Sequence, residues 1–476
     1  MNDYPQVGML NALSSALPTG RVITDPDITR RYCHDEAVWA PYGQSMALVR
    51  PKTTEEIQIV VKFCIDNGVS LVPRGAGTGL SGGANAGEGA IVLSLEQMDC
   101  IVEINVDEHY AVVQPGVVNA KLREACAPFG LWYPPDPASA IWSTIGGNVA
   151  TNAGGLCCVK YGVTRDYVLG MEVITGLGDI VRLGRRTAKG VAGYDLAGLM
   201  VGSEGTLGVI SEVTLKLKNL PPEEKTIVGY FSSMVDAGQA VAAVMTSGVT
   251  PSALELIDRH CLVAVDEWMN LGLSIDADVV LLARTDSPGD ACDAEAAAVL
   301  EAFERSGATW ATVSTDKQES DALFEARRLA YPALERLGPV LTEDVCVPIA
   351  MVPEMLARIE NIAKNHDTQI ANIAHAGDGN LHPLLLTPTG DTAARDRAIL
   401  AFDDILTEAL DLGGTVTGEH GVGLLKVDGL AKELSSEVLK MHRVIKDALD
   451  PHGILNPGKI FSVPYNECES KADSFR

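Results

Sequence analysis

Two histidines, His375 and His382, flank an Asp378-Gly379 turn, and a glutamate, Glu419, follows later in the chain. Asp-Gly predicts a two-residue type I′ hairpin loop, which needs φ > 0 at both central positions. That loop would place the two histidines directly opposite each other, with Cβ atoms about 4.5–5.5 Å apart. Two imidazoles and Glu419 could hold one divalent metal and leave a coordination position open for substrate. We therefore expect a metal site; a hairpin with two ordinary histidines is the alternative.

The composition limits the class of protein that carries these residues. At 476 residues with 46% hydrophobic content, the chain should form two or three domains. A net charge of −26 argues against binding of nucleic acid and of anionic membrane surfaces. The ten cysteines contain no CxxC pair, which indicates reduced thiols and no iron–sulfur cluster. With no signal-peptide pattern and no transmembrane segment, we expect a cytoplasmic protein; peripheral attachment to a membrane stays open.

The first half of the chain reads mainly as strands. Apolar patterning predicts strands at 46–49, 69–73, 91–95, 101–105, 111–115, 169–175, 180–183 and 209–217, and helices at 53–67 and 119–129. Thr53 or Thr54 is the expected N-cap of the first helix, and Gly68 is expected to end it. Pro221-Pro222 marks a natural boundary.

The second half alternates between helices and strands. Helices are predicted at 237–247, 257–271, 291–305, 321–337, 393–412 and 433–449, and strands at 226–231, 279–285 and 344–347. Such alternation around one sheet indicates an α+β substrate domain. The polar tail that follows should be frayed.

Glycine-rich stretches supply a second kind of site. The loop 73–83 formally contains GxGxxG after a strand, as in a Rossmann fold. A Rossmann fingerprint opens a helix, whereas this loop leads to the strand at 91–95. What remains is a run of backbone N–H groups that could bind phosphate oxygens; a plain flexible loop is the alternative. A second loop, 143–155, has small residues throughout and would allow a flat cofactor to approach the backbone. A third stretch, 202–210, leads into the last strand before the boundary.

These three stretches, in this order, resemble the flavin domain of the vanillyl-alcohol-oxidase or p-cresol-methylhydroxylase (PCMH) fold. Three C-terminal stretches, 375–382, 419–423 and 456–459, resemble the FAD-binding oxidoreductase/transferase type 4 family. That family includes the glycolate oxidase D-subunit, FAD-linked D-lactate dehydrogenase and D-2-hydroxyglutarate dehydrogenase. The resemblance implies an N-terminal segment at 1–41, a PCMH-type FAD-binding domain at 42–221 and a substrate or cap domain with the hairpin at 222–415. A C-terminal segment at 416–462 would return to the FAD domain, and 463–476 is the tail.

The resemblance also implies which residues bind FAD. The stretch from Arg74 to Gly82 would wrap the pyrophosphate, Glu204, Gly208 and Ile210 would lie on the adenine side, and Asn456 would approach the isoalloxazine ring. The full expected set is Pro73, Arg74, Gly75, Ala76, Gly77, Thr78, Gly79, Leu80, Ser81, Gly82, Pro135, Pro137, Ile145, Gly146, Gly147, Asn148, Thr151, Asn152, Gly154, Tyr161, Gly162, Glu204, Gly208, Val209, Ile210 and Asn456. Relatives with covalent flavin carry a His where this chain has Thr78, so FAD should be bound non-covalently there.

The implied reaction is oxidation of a D-2-hydroxy acid to a 2-oxo acid. A metal, Zn or Mn, would bind the substrate hydroxyl, and His420 would take its proton as general base. Hydride would pass to flavin N5, and Arg327 would clamp the substrate carboxylate, with Arg328 as the neighbouring candidate. For either arginine, a solvated helix-face charge is the alternative.

Two departures from the family bear on the substrate. Relatives that act on 2-hydroxyglutarate place a Lys at the position of Thr342 and an Asn at that of Leu384. D-lactate or glycolate is therefore the expected substrate, with D-2-hydroxyglutarate as an alternative. The electron acceptor stays open among a quinone, a cytochrome and an electron-transfer flavoprotein, and the chain could form a homodimer. The resemblance also leaves open an FAD subunit of a glycolate oxidase complex and, least favoured, a non-redox flavin transferase such as an ether-lipid synthase.

Overall fold

The computed structural model describes residues 4–187, 189–222, 224–270, 277–314 and 316–461; the tail predicted at 463–476 lies outside these ranges. Helices recur along the whole described chain. Their bounds are α1 Tyr4–Ala16, α2 Pro26–Thr29, α3 Thr54–Asn67, α4 Asn119–Cys126, α5 Ile145–Thr151, α6 Cys158–Tyr161, α7 Leu196–Met200, α8 Met234–Thr246, α9 Arg259–Met269, α10 Asp290–Arg305, α11 Lys317–Glu335, α12 Val352–Asn365, α13 Thr392–Asp411, α14 Val427–Glu433 and α15 Ser436–Leu449.

The first half contains two main sheets. Its strands are β1 Val22–Ile23, β2 Ala47–Val49, β3 Leu71–Arg74, β4 Ile91–Ser94, β5 Ile101–Asn105, β6 Tyr110–Val113, β7 Leu131–Trp132, β8 Val168–Thr175, β9 Ile180–Gly184, β10 Gly208–Lys216 and β11 Lys218–Asn219. The first sheet has the order β1-β2-β4-β3, and β4 runs parallel to both of its neighbours. The second is antiparallel with the order β5-β6-β10-β8-β9.

Helix α3 joins two strands of the first sheet and shows the expected end signals. The Thr53 hydroxyl accepts a hydrogen bond from the backbone N–H of Glu56, so Thr53 is the N-cap. Gly68 ends the helix in the left-handed conformation with φ +63°. The parallel strands β3 and β4 that follow are almost fully buried, as expected for strands covered on both faces. After β3 the glycine loop runs directly to β4 without forming a helix, which confirms that it is not a Rossmann fingerprint.

The second half is built on one large sheet. Its strands are β12 Lys225–Phe231, β13 Ala253–Asp258, β14 Val279–Thr285, β15 Trp310–Ser314, β16 Val340–Thr342, β17 Val345–Cys346, β18 Gln369–His375 and β19 Asn380–Leu386. The order is β15-β12-β14-β13-β18-β19-β16, and β17 pairs with β19. Alternate residues of β13 belong to different cores: Leu254 and Leu256 pack in the core that contains α8, α10 and α12, while Ala253 and Ile257 pack in the core that contains α9 and α11.

Four predicted elements differ from the structure. The helix predicted at 257–271 begins only at Arg259, because the all-buried strand β13 precedes it; its predicted last residue lies outside the described ranges. The strand predicted at 344–347 contains only β17, and β16 precedes it. The loop predicted at 143–155 contains α5, whose N-cap is Thr144. The helix predicted at 433–449 is α15, preceded by the separate helix α14.

The end of the described chain returns to the first sheet. Leu455 forms a parallel bridge with Leu71 of β3. The N–H of Leu71 donates to the carbonyl of Ile454, and the N–H of Asn456 donates to the carbonyl of Leu71, both at 2.8 Å. Among the described helices, none is both long and apolar enough to span a lipid bilayer.

Candidate active site

The hairpin of β18 and β19 brings His375 and His382 together, but not through the predicted turn. The loop has four residues, Ala376 to Gly379, and of these only Gly379 has a positive φ, +75°. His375 pairs with Asn380, and Ile373 pairs with His382. The prediction that the two histidines are directly opposed was therefore wrong. They are diagonal neighbours on one face of the sheet, with perpendicular rings whose centroids lie 5.2 Å apart.

Glu419 completes a set of possible metal ligands. Its Oε1 lies 3.2 Å from Nε2 of His375 and 3.2 Å from Nε2 of His382. Potential ligand atoms of all three residues lie within 4.8 Å of one another. Asp344, His382 and His420 form a second such group, so His382 is shared. Two imidazole nitrogens and a carboxylate oxygen suit Zn or Mn.

Glu255 of β13 orients the first histidine. Its carboxylate lies 2.8 Å from Nδ1 of His375, and Glu255 is fully buried. A carboxylate on one ring nitrogen fixes the tautomer and leaves the other nitrogen free for a metal, which is the usual arrangement behind a metal-bound histidine. Burial opposes a charge on His375, but the carboxylates of Glu255 and Glu419 raise its pKa well above the ordinary value. The two carboxylates favour a proton on His375. A divalent cation bound at this site would supply the positive charge that this proton supplies.

His420 lies beside the ligands and is not one of the His375 group. Its ring stacks on that of His382, with centroids 4.9 Å apart and an interplanar angle of 11°. Its Nε2 is 3.8 Å from Oε1 of Glu419, and its buried Nδ1 has no hydrogen-bond partner among the described residues. Burial lowers the pKa of His420 to about 4, so the imidazole is neutral at neutral pH and can accept a proton.

Arg327 of α11 lies behind the same group of residues. It is 2% exposed, and its Nε is 2.9 Å from Oε2 of Glu255. Its buried Nη2 has no hydrogen-bond partner within the part of the chain that the structure describes. The neighbouring Arg328 is instead 3.4 Å from Asp136, and is about one-third exposed. A buried, unpartnered guanidinium nitrogen at a cavity wall is suited to receive an anion.

One cavity of about 870 Å³ joins these side chains to the glycine loops. His375, His382, Glu419, His420 and Arg327 all line it. From the predicted FAD-binding set it is lined by Pro73, Arg74, Gly75, Ala76, Gly77, Thr78, Gly79, Leu80, Ser81, Pro137, Gly146, Gly147, Asn148, Thr151, Glu204, Gly208 and Ile210. The predicted metal ligands and most of the predicted FAD-binding residues therefore line one cavity.

Nine residues of the predicted set do not line this cavity: Gly82, Pro135, Ile145, Asn152, Gly154, Tyr161, Gly162, Val209 and Asn456. Several have structural partners instead. The Tyr161 hydroxyl donates to Asp286 at 2.5 Å, across to the loop after β14. Asn456 is 1% exposed and donates to the carbonyls of Gly83 and Glu204. Of these two, Asn456 therefore supports the wall, since Gly83 and Glu204 both line the cavity.

The backbone of the glycine loop 73–83 packs closely against its neighbours, so at two of its glycines there is no room for a side chain. A Cβ on Gly75 would collide with the Thr144 hydroxyl, and one on Gly77 would collide with the guanidinium of Arg74. Gly77 also has φ +81°, which strongly favours glycine. Exposed backbone in a wide cavity of this volume fits a dinucleotide cofactor whose phosphates need N–H donors.

Residue patterns missed the side chains that support this site. Glu255 was not found because its strand, β13, was assigned in part to a helix; an acid within the otherwise apolar run 253–257 was the available signal. Asp344 is marked by no local pattern, yet it is fully buried and accepts three backbone N–H groups from 418–420. Lys426 is also buried and donates to Glu343 and to the carbonyls of Asp344 and Val416.

Comparison with known proteins places this geometry in a family. Residues 46–184 match the family described as FAD binding domain, and residues 220–460 match the C-terminal domain of FAD linked oxidases. The chain is 40% identical to glycolate oxidase subunit GlcD of Bacillus subtilis (strain 168) over 93% of each chain. It is 34% identical to a D-lactate dehydrogenase of Anaerostipes hadrus, covering 92% of this chain and 94% of that one. A crystal structure of p-cresol methylhydroxylase with substrate bound superposes with a TM-score of 0.82 at 18% identity, over 98% of each chain. The predicted PCMH-type fold is therefore confirmed.

Proposed function

Because the chain belongs to the family of FAD-linked oxidases, we propose that it oxidises a D-2-hydroxy acid, with D-lactate or glycolate preferred, to the 2-oxo acid. One observation carries the proposal: His375, His382, Glu419, His420 and Arg327 face the same cavity as the glycine loops. The cavity therefore brings together a group that can bind a carboxylate, a group that can hold a metal and a group that can accept a proton. All three lie in the same cavity as the glycine loops, where FAD would bind.

Each residue has a distinct task in this proposal. Arg327 pairs with the substrate carboxylate through its free guanidinium nitrogen. A divalent ion held by His375, His382 and Glu419 would lower the pKa of the substrate hydroxyl. His420, neutral at neutral pH, accepts the hydroxyl proton. Bound FAD supplies the two-electron acceptor for the hydride that leaves Cα.

Two uncharged residues of the cavity wall favour a substrate with one carboxylate. Thr342 and Leu384 are paired between β16 and β19, both line the cavity, and neither carries a charge. A second substrate carboxylate at this wall would have to be desolvated without an ionic partner from these two positions, which is costly. This favours D-lactate or glycolate over D-2-hydroxyglutarate.

A panel of substrates with metal analysis tests the proposal. The purified protein is treated with a chelator, reloaded with Zn²⁺ or Mn²⁺ and mixed anaerobically with D-lactate, glycolate, D-2-hydroxyglutarate or L-lactate. We expect rapid bleaching of the flavin by D-lactate or glycolate, and little bleaching after chelation. No bleaching by any hydroxy acid, or equal rates with and without metal, would contradict it.

The flavin linkage is a separate part of the proposal. Thr78 lines the cavity and carries no nucleophile of the kind that forms flavin adducts, so we propose that FAD is bound non-covalently there. Denaturation followed by filtration should release the yellow colour into the filtrate. Flavin that stays with the chain would contradict this.

A second candidate function is that of a subunit. The Bacillus subtilis relative is named as a subunit of glycolate oxidase, which supports an FAD subunit of a larger complex as the alternative. Reduction of an artificial dye by the purified chain and glycolate would favour a self-sufficient enzyme. Flavin bleaching without dye turnover would favour the subunit.

A further inference from the structure

The segment 417–423 carries Glu419 and His420 but forms neither helix nor strand. Such a segment depends on contacts with its surroundings for its shape. Two buried carboxylates from different halves of the chain supply most of its backbone partners. They are Asp344, which precedes β17, and Glu204, which precedes β10.

Asp344 holds the first part of the segment. Its Oδ2 accepts hydrogen bonds from the N–H groups of Gly418 at 3.0 Å, Glu419 at 3.1 Å and His420 at 2.9 Å. The Thr417 hydroxyl donates to the same oxygen at 2.7 Å. This end is therefore fixed relative to the large sheet that carries the two histidines.

Glu204 holds the second part. Its Oε1 accepts from the N–H of Val422 at 2.7 Å, and its Oε2 accepts from the N–H of Gly423 at 2.8 Å. Glu204 is 7% exposed and has a left-handed backbone with φ +51°, unusual for a residue with a side chain. Its own carbonyl accepts from Asn456 at 2.7 Å. Both the side chain and the backbone of Glu204 are thus held in place.

The glycine loop adds a third attachment on the same side. The Ser81 hydroxyl donates to the carbonyl of His420 at 3.0 Å, and the Ser81 carbonyl accepts from the N–H of Leu424 at 2.7 Å. The fit is close: a Cβ on Gly421 would lie 2.8 Å from Oε1 of Glu204, and one on Gly423 would collide with the Ser81 carbonyl. Little room is left for the segment to shift.

We propose that Glu204 is a positioning residue that fixes Glu419 and His420 relative to the glycine loops of the first half. This rests on the function proposed above. Asp344 fixes the same two residues relative to the histidines. Glu204 therefore determines how the metal group is aligned with the part of the cavity that the glycine loops line. Misplacement of a reacting group by about 1 Å can cost about 10²-fold in rate.

The test compares Glu204→Gln with Glu56→Gln. A glutamine at 204 can accept from only one of the two N–H groups, and its amide nitrogen then faces the other. Glu56 is a matched control: it is also 7% exposed and accepts a backbone N–H, from Lys52, but it does not line the cavity. Gly421→Ala perturbs the same contact from the opposite side and serves if Glu204→Gln folds poorly.

Two readouts are taken on both variants. In Glu204→Gln we expect anaerobic reduction of the bound flavin by saturating D-lactate or glycolate to slow by about 10- to 100-fold, with the rate counted per bound flavin and KM close to wild type. We expect Zn²⁺ affinity of the chelated protein to fall by about tenfold, since supporting groups of metal ligands have effects of this size. Glu56→Gln should lose stability but keep both the rate and the affinity.

Three outcomes would overturn the positioning role: wild-type rate and Zn²⁺ affinity in Glu204→Gln, a rate that falls only in proportion to lost flavin, or an equal loss in the control. The Zn²⁺ titration separates this proposal from the proposed function. If wild type oxidises no hydroxy acid, the proposed function fails, and the titration still decides whether Glu204 supports the metal group.

Discussion

The glycine loop between β3 and β4 and the hairpin of β18 and β19 face the same cavity but are built in opposite ways. The loop offers backbone, and at Gly75 and Gly77 there is no space for a side chain. The hairpin offers titratable side chains, held by buried partners such as Glu255 behind His375. A backbone surface depends on the local shape of the chain and on its N–H donors, whereas a side-chain site also depends on charges placed elsewhere in the fold. Changes in the two regions should therefore separate flavin binding from metal-dependent chemistry.

The largest effect is expected for His375→Ala. Removal of one of the three proposed ligands should abolish metal binding and slow flavin reduction by at least about 10³-fold, because a metal would supply several kcal/mol of charge stabilisation. Flavin content should stay unchanged, since His375 belongs to the hairpin. Metal analysis and stopped-flow reduction check this, with the exposed His452→Ala as control. Retained metal at wild-type affinity would remove His375 from the ligand set.

His420→Ala should slow flavin reduction by about 10²- to 10⁴-fold, the usual contribution of a general base. Unlike His375→Ala, it should leave both metal and flavin bound, which sharpens the distinction between ligand and base. His420→Gln keeps most of the side-chain volume and serves as a second variant. A near-normal rate in both would exclude the role as base, and loss of metal would indicate a ligand.

Glu255→Gln tests the support behind the hairpin. Metal affinity should fall by about 10- to 100-fold, as is typical when the partner of a metal-bound histidine is removed. Excess metal should restore part of the rate of flavin reduction. The loss of rate that remains would reflect the ion pair with Arg327 that the substitution removes. Glu56→Gln is the matched control. Unchanged affinity by metal titration would show that Glu255 does not tune the site.

Gly77→Ala is the complementary change in the glycine loop. A Cβ at 77 would add a collision with the Arg74 guanidinium to a left-handed backbone that costs about 1–3 kcal/mol, and the shift of the loop should lower FAD affinity by about tenfold or more. Metal affinity should not change. Gly89→Ala has a similar φ of +72° but open space around its Cβ, and should leave FAD binding intact. Equal loss of FAD in both variants would indicate general destabilisation.

The same contrast explains what the sequence could predict. Backbone features such as the Thr53 cap, the end of α3 at Gly68 and the absence of a helix after the loop 73–83 depend on local geometry, and these predictions were confirmed. Apolar patterning located most strands of the first half, but in the second half it located β12, β14 and β17 and did not predict β13, β15 and β16. The hairpin register failed because an Asp-Gly pair is compatible with more than one loop, and here Ala376 to Asp378 form a 3-10 turn.

Supporting side chains were harder to predict for a physical reason. Glu255 and His375 are 120 residues apart, and Glu204 lies 218 residues before Val422. No local periodicity links such positions, since only the tertiary fold brings them together. The hairpin pattern indicated the candidate ligands, and the family resemblance indicated the candidate base. Neither indicated Glu255 or Asp344, and the resemblance named Glu204 only as a residue of the cofactor site.

The bridge between Leu71 and Leu455 has a consequence for synthesis. The edge strand β3 receives its last hydrogen bonds from residues made almost four hundred positions later. During synthesis on the ribosome, the edge of the first sheet therefore stays incomplete until nearly the whole polypeptide has emerged. Closing so long a loop is slow and exposes apolar strand edges. Truncation before Ile454 should therefore yield a protein that aggregates or depends on chaperones, even though both sheets of the first half are already encoded.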